Sequence, residues 1–471
     1  MLFFTLTARE SSSSCISEIT KPFEQMNSIA TEGGGRPFIT KWEGKRGKAL
    51  ELPIVGQYLL VIKDERGKEV IKEEVTIADE EHPYLFMPPA DGVYTVEAGP
   101  EGVEYMRTYE SEDYEDEAQI YEYRYATLRE VVQFGTVEWR SMREMFQSCI
   151  RMTFAPDIDT PDLSKVTDMR EMFRGCIAFN QPLEKWDVGS VTDMSLMFAN
   201  CCSFSQPLEE WDVGNVTDMS LMFYCCFSFN QPLEKWNVGK VTNMSEMFRG
   251  CSAFNQPLEK WDVGRVTAMG NMFSGCSAFN QPLEKWNVGK VTDMREMFCD
   301  CGVFNQSLEK WDVGKVIDMR EMFRDCRAFN QPLEKWDVGN VTNMILMFHR
   351  CRSFNQPLEK WDVSHVTDMR GMFSDCSSFN QPLEKWDVGK VTSMIRMFYG
   401  CSAFNQPLEK WNVGNVTDMR GMFSDCSAFN QSLEAWDINN LPENAAKDLF
   451  TNCPAGALPF AQEWREKGYE L

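Results

Sequence analysis

The sequence contains little histidine and no long apolar run, and each absence excludes a class of protein. Its three histidines, His82, His349 and His365, are too few and too scattered for repeated zinc sites, and no C-x-x-C pair accompanies them. No run of about 18 or more apolar residues is present, so we expect no membrane-spanning helix. Basic residues number 47 against 71 acidic ones, and the formal charge of -24 argues against a nucleic-acid-binding protein.

What the sequence does contain is a repeat of tryptophan. Eleven tryptophans recur at a spacing of 25 residues: Trp186, Trp211, Trp236, Trp261, Trp286, Trp311, Trp336, Trp361, Trp386, Trp411 and Trp436. A fixed period of this length indicates stacked units, each of which buries its apolar face only against its neighbours. We number the positions of a unit from Leu183, which is position 1 of the unit that contains Trp186.

Each unit predicts a strand followed by a helix. Leu183, Trp186, Val188 and Val191 match the spacing of a leucine-rich repeat, and residues 186–188 alternate as a short parallel strand requires. Positions 12, 15, 16 and 19 are apolar at the spacing of one helical face. Thr192 precedes them as a predicted N-cap, and Asn-Gln-Pro closes each unit. We therefore expect an α/β solenoid, a leucine-rich-repeat-like stack of strand-helix units.

The aperiodic residues before the repeat are expected to form a small β-sandwich. Residues 57–63 and 68–77 predict a hairpin around the turn at Gly67, and residues 93–96 predict a third strand. The domain organisation that follows is a flexible leader (1–36), a β-domain (37–108), an acidic linker (109–127), an N-terminal capping repeat (128–163), eleven repeats (164–438) and a C-terminal cap (439–471).

Cysteine and methionine follow the period as well. The cysteine at position 19 of each unit is interpreted as a buried, reduced thiol, and the methionines at positions 12 and 15 as core residues rather than copper(I) ligands. Cys202, Cys225 and Cys299 fall outside this series and are expected to be more exposed. Cys299 and Cys301 are candidates for oxidation.

One candidate binding surface lies on the predicted strand face. Positions 3 and 5 carry opposite charges, which we expect to form a mixed lattice that is either solvated or a docking surface. Interleaved lysine makes calcium binding by the carboxylates unfavourable, and no metal site is expected. The candidate residues are Lys185, Asp187, Lys260, Asp262, Lys335, Asp337, Lys385 and Asp387.

A second candidate surface is formed by positions 13 and 14, on the predicted outer face of the helix. These positions vary between units while the core positions stay constant. Apolar residues there mark either a contact surface or unconstrained variation. The candidates are Leu196, Leu221, Ile345, Leu346 and Ile395.

Catalytic motifs are missing. No G-x-x-x-x-G-K-S/T loop occurs, and Gly33 to Gly35 open no strand-helix unit. Catalysis needs one singular site, whereas a repeat gives every unit similar surroundings. We expect neither enzymatic activity nor a cofactor.

The unit from Phe279 to Phe298 closely resembles the BspA-like leucine-rich repeats of the Mycoplasma-type surface-protein family, over about residues 128–453. Residues 37–42 and 92–96 resemble the PKD-like β-domain that often precedes such repeats, although the usual Trp-Gly-Asp-Gly turn is replaced by residues 63–67. The resemblance implies adhesion or protein interaction, a location at the cell surface, and no catalytic residues.

Two functional hypotheses follow. The first is a scaffold for adhesion or protein-protein interaction, with a glycan as the alternative ligand. The second is an intracellular or virion scaffold, which the thiol-rich series favours because reducing compartments keep such cysteines free. The start of the chain has no convincing secretory signal. Location, oligomeric state and partner identity stay open at this stage.

Overall fold

The computed structural model describes residues 34–108, 127–439, 441–442 and 444–471. Most of the predicted leader and of the acidic linker, together with Cys15, lies outside these residues. The regular elements concentrate at the two ends of the chain. They are β1 (Phe38–Gly44), β2 (Leu50–Leu52), β3 (Ile54–Lys63), β4 (Glu69–Ile77), β5 (Tyr84–Phe86), β6 (Gly92–Ala98), β7 (Val103–Met106), β8 (Leu128–Gln133), β9 (Thr153–Phe154), a 3-10 helix (Pro454–Ala457) and α1 (Pro459–Glu466).

The N-terminal strands form a seven-stranded sheet and a separate two-stranded sheet. The larger sheet has the order β4-β3-β6-β1-β8-β9, with β7 also paired to β3, and the smaller one pairs β2 with β5. The predicted hairpin is confirmed, because β3 and β4 are antiparallel and the predicted third strand lies within β6. Strands β8 and β9 follow residue 127, so this sheet continues directly into the repeat region.

The repeat units do not contain the predicted helices. Among the described residues of the repeats, each unit consists of turns with one isolated parallel bridge, such as Asp193 to Asp218. The only α-helix in the described part of the chain is the eight-residue α1. The expected α/β solenoid of leucine-rich-repeat-like strand-helix units is therefore wrong. The in-out-in alternation of Trp186, Asp187 and Val188 is confirmed, but these residues form no regular strand.

Backbone conformation explains why the helical spacing fails. Leu196 at position 14 has a φ of 57°, and Asn200 at position 18 has a φ of 62°. The same left-handed conformation recurs at these positions along the repeats, at Glu246 and Asp325 for example. A right-handed helix cannot continue through a residue with positive φ. The segment therefore folds as consecutive turns, with bonds such as that from the N–H of Met197 to the carbonyl of Met194 (3.2 Å).

The backbone of each unit is bonded mainly to the next unit. The N–H groups of Met194, Leu196, Phe198 and Asn200 all donate to carbonyls of the unit that follows, at 2.7 to 3.1 Å. Buried peptide groups need such partners, because an unpaired one costs about 1–3 kcal/mol. Successive units are thereby stacked in parallel register.

Side chains donate second hydrogen bonds to carbonyls of the preceding unit that already accept one from a backbone N–H. The indole Nε1 of Trp286 donates to the carbonyl of Leu258 at 2.9 Å, and the thiol of Cys276 donates to the carbonyl of Phe248 at 3.0 Å. The hydroxyl of Thr192 donates to the carbonyl of Thr167 at 3.1 Å. Thr192 is thus not an N-cap, since there is no helix to cap.

The interior is a continuous column of aromatic and sulfur-containing side chains. Phe223 stacks on Phe248 with ring centroids 5.6 Å apart, and Trp261 stacks on Trp286 at 6.4 Å with nearly parallel rings. The methionines at positions 12 and 15 are almost fully buried beside them, as predicted. Removal of this apolar surface from water stabilises the stack, at about 25 cal/mol per Å².

The two ends of the stack are covered differently. In the first unit, the N–H of Phe146 donates to the carbonyl of Met172, so this unit bonds to the next one as the others do. Arg107 joins the β-domain to this unit through Glu144, whose carboxylate is almost completely buried. Burial raises the pKa of Glu144, but hydrogen bonds from Arg107 and Arg143 outweigh it and leave the pKa below its ordinary value. At the other end, Phe460 and Trp464 of α1 pack against Phe450.

Replacing Trp286 by Phe tests the side-chain bonds between units. The variant keeps an aromatic ring in the stack but leaves the carbonyl of Leu258 without its indole donor. The carbonyl keeps the bond from the N–H of Trp261, so we expect the free energy of unfolding to fall by about 0.5–1.5 kcal/mol more than in a matched variant, as measured by urea denaturation. The match is Trp139→Phe, because the indole Nε1 of Trp139 is buried without a hydrogen-bond partner. Equal losses in the two variants would contradict this role of the indole bond.

Candidate functional site

The predicted lysine and aspartate residues are exposed on either side of the buried tryptophans. Lys185, Lys260, Lys335 and Lys385 lie at position 3, and Asp187, Asp262, Asp337 and Asp387 at position 5; all eight are exposed.

The charges of this face form ion pairs between neighbouring units. The Nζ of Lys260 lies 3.1 Å from a carboxylate oxygen of Glu234 in the preceding unit, and Lys335 lies 3.0 Å from Glu309. Asp262 instead accepts a hydrogen bond from the N–H of Gly264 at 3.1 Å. Within this lattice of opposite charges, lysine therefore pairs with the glutamate at position 2 of the preceding unit, while aspartate accepts a hydrogen bond from the backbone of its own turn.

These ion pairs are exposed and recur along the face. Lys260 and Lys385 are more than 70% exposed, so each pair contributes about 0–1 kcal/mol to stability. Their geometry nevertheless repeats from unit to unit, with Lys385 paired to Glu359 at 3.2 Å. Most of the described units therefore present the same lysine-glutamate pair, in several of them beside an aspartate that has no cationic partner.

The second predicted surface is formed by turns rather than by helices. We define the outer turn face as positions 13, 14, 17, 18 and 20 of the units. Its predicted apolar members, Leu196, Leu221, Ile345, Leu346 and Ile395, are each half-buried.

Position 14 side chains lie over the next unit. A Cβ atom on Gly371 would approach the Cδ2 of Leu346 to 2.5 Å, and one on Gly421 would lie 3.5 Å from the Cγ of Arg396. Leu346 is thus partly used to cover its neighbouring unit. This contact explains part of its apolar character without a binding partner.

The most exposed apolar residues of this face were not among the predicted ones. Ile177 and Phe227 at position 20 are 48% and 49% exposed, with the half-buried Cys202 in the unit between them. Tyr224 and Cys225 lie beside them in the turn that leads to Phe227. The sequence signal was available, because position 20 holds serine in several other units, such as Ser252.

Among the described residues, the cysteines divide into buried ones and two more accessible ones. The cysteines at position 19 are buried and free, as predicted, and burial raises the pKa of Cys176 to about 12. Cys202 and Cys225 are half-buried, in agreement with their expected exposure. The expectation for Cys299 is wrong: only 3% of it is exposed, and burial together with Asp300 raises its pKa to about 12. Cys301 is fully buried and is therefore also a poor candidate for oxidation.

One group on the outer turn face has ligand atoms of the kinds that bind metals. The thiol of Cys299 and carboxylate oxygens of Glu296 and Glu321 lie within 4.8 Å of one another. Glu321 also accepts a hydrogen bond from the Nη1 of Arg324 at 2.7 Å. A guanidinium therefore already supplies positive charge at this group, and a metal ion would have to displace it.

No helix of the described residues is long and apolar enough to cross a membrane.

Comparison with known families places this repeat in a group defined by sequence. The family model described as "Mycoplasma protein of unknown function, DUF285" matches residues 140–258, 230–322, 285–382 and 342–464, which together span more than half of the chain. The chain matches no curated protein and no solved structure. The match supports the repeat-family resemblance, but it does not extend to the PKD-like domain.

Thiol labelling tests the division of the cysteines. In a Cys15→Ser variant, we expect maleimide to modify Cys202 and Cys225 at least about tenfold faster than the position 19 cysteines, because buried, protonated thiols must first be exposed by unfolding. Mass spectrometry of labelled peptides gives the rates. In urea the difference should disappear. Rapid labelling of Cys276 or Cys299 in the native protein would contradict the assignment.

Proposed function

This chain belongs to the Mycoplasma repeat family of unknown function, DUF285, and we propose that it is a non-enzymatic scaffold that binds another protein through its outer turn face. The observation that carries the proposal is the contrast between a constant interior and a variable outer turn face. Interior residues such as Trp286 and Phe298 occupy equivalent buried places in every unit. Recognition of a particular partner requires residues that differ between units, and those lie outside.

The strongest candidate contact is an apolar patch in three consecutive units. We define it as Ile177, Leu196, Cys202, Leu221 and Phe227, with Tyr224 and Cys225 beside it. Exposed apolar side chains that cluster in this way are typical of protein-protein contacts, whereas isolated ones are common on any surface. Burial of an exposed phenylalanine contributes about 1.5–3 kcal/mol, so a few such residues can anchor a partner.

The lysine-glutamate face is less suited to partner recognition than the outer turn face is. Its pairs are regular and exposed, which suits solubility and non-specific repulsion rather than selection of one ligand. A glycan would need planar aromatic and hydrogen-bonding groups that are free on the surface. The tryptophans of the repeat are buried, and the exposed Phe227 lies among apolar side chains, so a protein partner fits the surface better than a glycan does.

The proposal is compatible with two locations of the scaffold. The family resemblance favours adhesion at a cell surface. The free, buried thiols favour a reducing interior or a virion, because such cysteines persist there without forming disulfides. The proposal itself concerns the binding surface and holds in either setting.

A capture experiment tests the apolar patch. The variant Ile177→Ser, Leu221→Ser, Phe227→Ser and the unaltered protein are immobilised and exposed to an extract of the source cells, and bound proteins are quantified by mass spectrometry. We expect the specifically bound partner to decrease at least about tenfold in the variant, because its apolar anchors are lost.

The matched control is Ile317→Ser. Ile317 is 51% exposed but lies outside the patch, at position 10. Capture should be unchanged in this control. An identical set and quantity of bound proteins on the patch variant and the unaltered protein would contradict the proposed surface.

A further inference from the structure

Four units beyond the apolar patch, the outer turn face is rich in arginine. In the two units that contain Trp311 and Trp336, its positions hold five arginines and only two carboxylates. The arginines are Arg320, Arg324, Arg327, Arg350 and Arg352, and the carboxylates are Glu321 and Asp325. This is opposite to the balance of the whole chain, whose formal charge is -24.

Three of these arginines surround a buried carboxylate. Asp325 has only 6% of its side chain exposed, and guanidinium nitrogens of Arg327, Arg324 and Arg350 lie 3.4 to 3.7 Å from its oxygens. Three guanidinium groups thus share one carboxylate at distances longer than good hydrogen bonds. Arg324 also donates to Glu321 at 2.7 Å, and the Nε of Arg350 lies 3.6 Å from Asp375, but the other nitrogens of Arg327 and Arg350 are not used by these carboxylates.

Buried polar side-chain atoms without a partner are concentrated in the same two units. The Nε atoms of Arg320 and Arg324 and the Nδ1 of His349 are buried without a hydrogen-bond partner, and they are half of the side-chain atoms in this condition among the described residues. Arg352 is exposed one unit from Arg327, at the same position, and forms no ion pair within the part of the chain that the structure describes. The buried atoms are not themselves accessible to a ligand, but the arginines that hold them add positive charge beneath the exposed Arg327, Arg350 and Arg352.

We propose that this arginine cluster binds a carboxylate-rich segment of a partner protein. Asp325 already shows that the cluster accepts a carboxylate, and planar guanidinium groups bind carboxylates with two parallel hydrogen bonds. The exposed side chains of Arg327, Arg350 and Arg352 leave their outer nitrogens accessible. Nucleic acid fits less well, because its backbone would extend past the cluster over acidic units.

This inference rests on the proposed function, since it names a class of partner for the same outer turn face. The arginine cluster and the apolar patch are separated along the stack. One can therefore fail while the other holds.

Binding of a fluorescein-labelled oligoglutamate peptide, followed by fluorescence anisotropy at low salt, tests the inference. The cluster variant carries Arg327→Gln, Arg350→Gln and Arg352→Gln. We expect it to bind at least about tenfold more weakly than the unaltered protein, which corresponds to about 1.4 kcal/mol. Added salt should weaken binding to the unaltered protein, because it screens the attraction between the arginines and the peptide carboxylates.

The matched control removes three arginines of the same face whose carboxylate partner lies within 2.9 Å, whereas Arg327 and Arg350 lie 3.4 Å or more from theirs. Arg174→Gln, Arg249→Gln and Arg370→Gln change the net charge equally, but each removed arginine is already paired, as Arg249 is with Glu246 at 2.8 Å. This control should bind the peptide as the unaltered protein does. Equal weakening in both variants would overturn the inference, because binding would then depend on net charge alone.

A single-residue variant and two alternative ligands complete the test. If the cluster variant unfolds at a lower temperature because Asp325 has lost partners, Arg352→Gln alone should still weaken binding about threefold or more. A phosphoserine peptide or oligothymidylate that binds the cluster more tightly than oligoglutamate would overturn the assigned ligand class, as would no binding of oligoglutamate at all. The apolar patch variant should bind oligoglutamate normally, so failure of partner capture there is distinguishable from failure of this inference.

Discussion

The hydrogen bond between one unit and the next is the interaction on which this molecule depends. Without helices, a unit cannot satisfy its buried peptide groups internally, so the N–H groups of Leu196 and Phe198 bond to the carbonyls of the following unit. The indole of Trp286 and the thiol of Cys276 complete the pairing for carbonyls in the preceding unit. A buried cysteine is therefore retained in each unit as a small, protonated donor.

This constraint separates the inside of the molecule from its outside. Interior positions must hold the same residue types in each unit, because stacked rings such as Trp261 and Trp286 and their hydrogen bonds repeat at one spacing. The turns at positions 14 and 18 face outward and are free to vary. Features that occur once, such as the exposed Phe227 and the buried Asp325 with its arginines, lie on this face. Partner choice and stability are thereby assigned to different residues.

The sequence was sufficient to predict the period, the buried residues and the β3–β4 hairpin, because all three follow from apolar spacing and turn residues. The prediction of a helix in each unit failed, because consecutive turns also bury residues that are three and four positions apart. Asn200, Gly250 and Asp325 at position 18 carried a signal for positive φ, but Leu196 at position 14 did not. The partner of Lys260 was missed because Glu234 belongs to the preceding unit, and only the stacking of the two units brings these side chains together.

Far-UV circular dichroism of the full chain, with amide I infrared absorption as a second readout, tests this account most directly. The described residues contain one α-helix of eight residues, so we predict a spectrum without the paired helical minima and an amide I band of turns and strands. A strand-helix repeat would instead place a helix in every unit. Strong minima at the wavelengths of an α-helix would show that the units satisfy their peptide groups internally, and would contradict bonding between units as the basis of the fold.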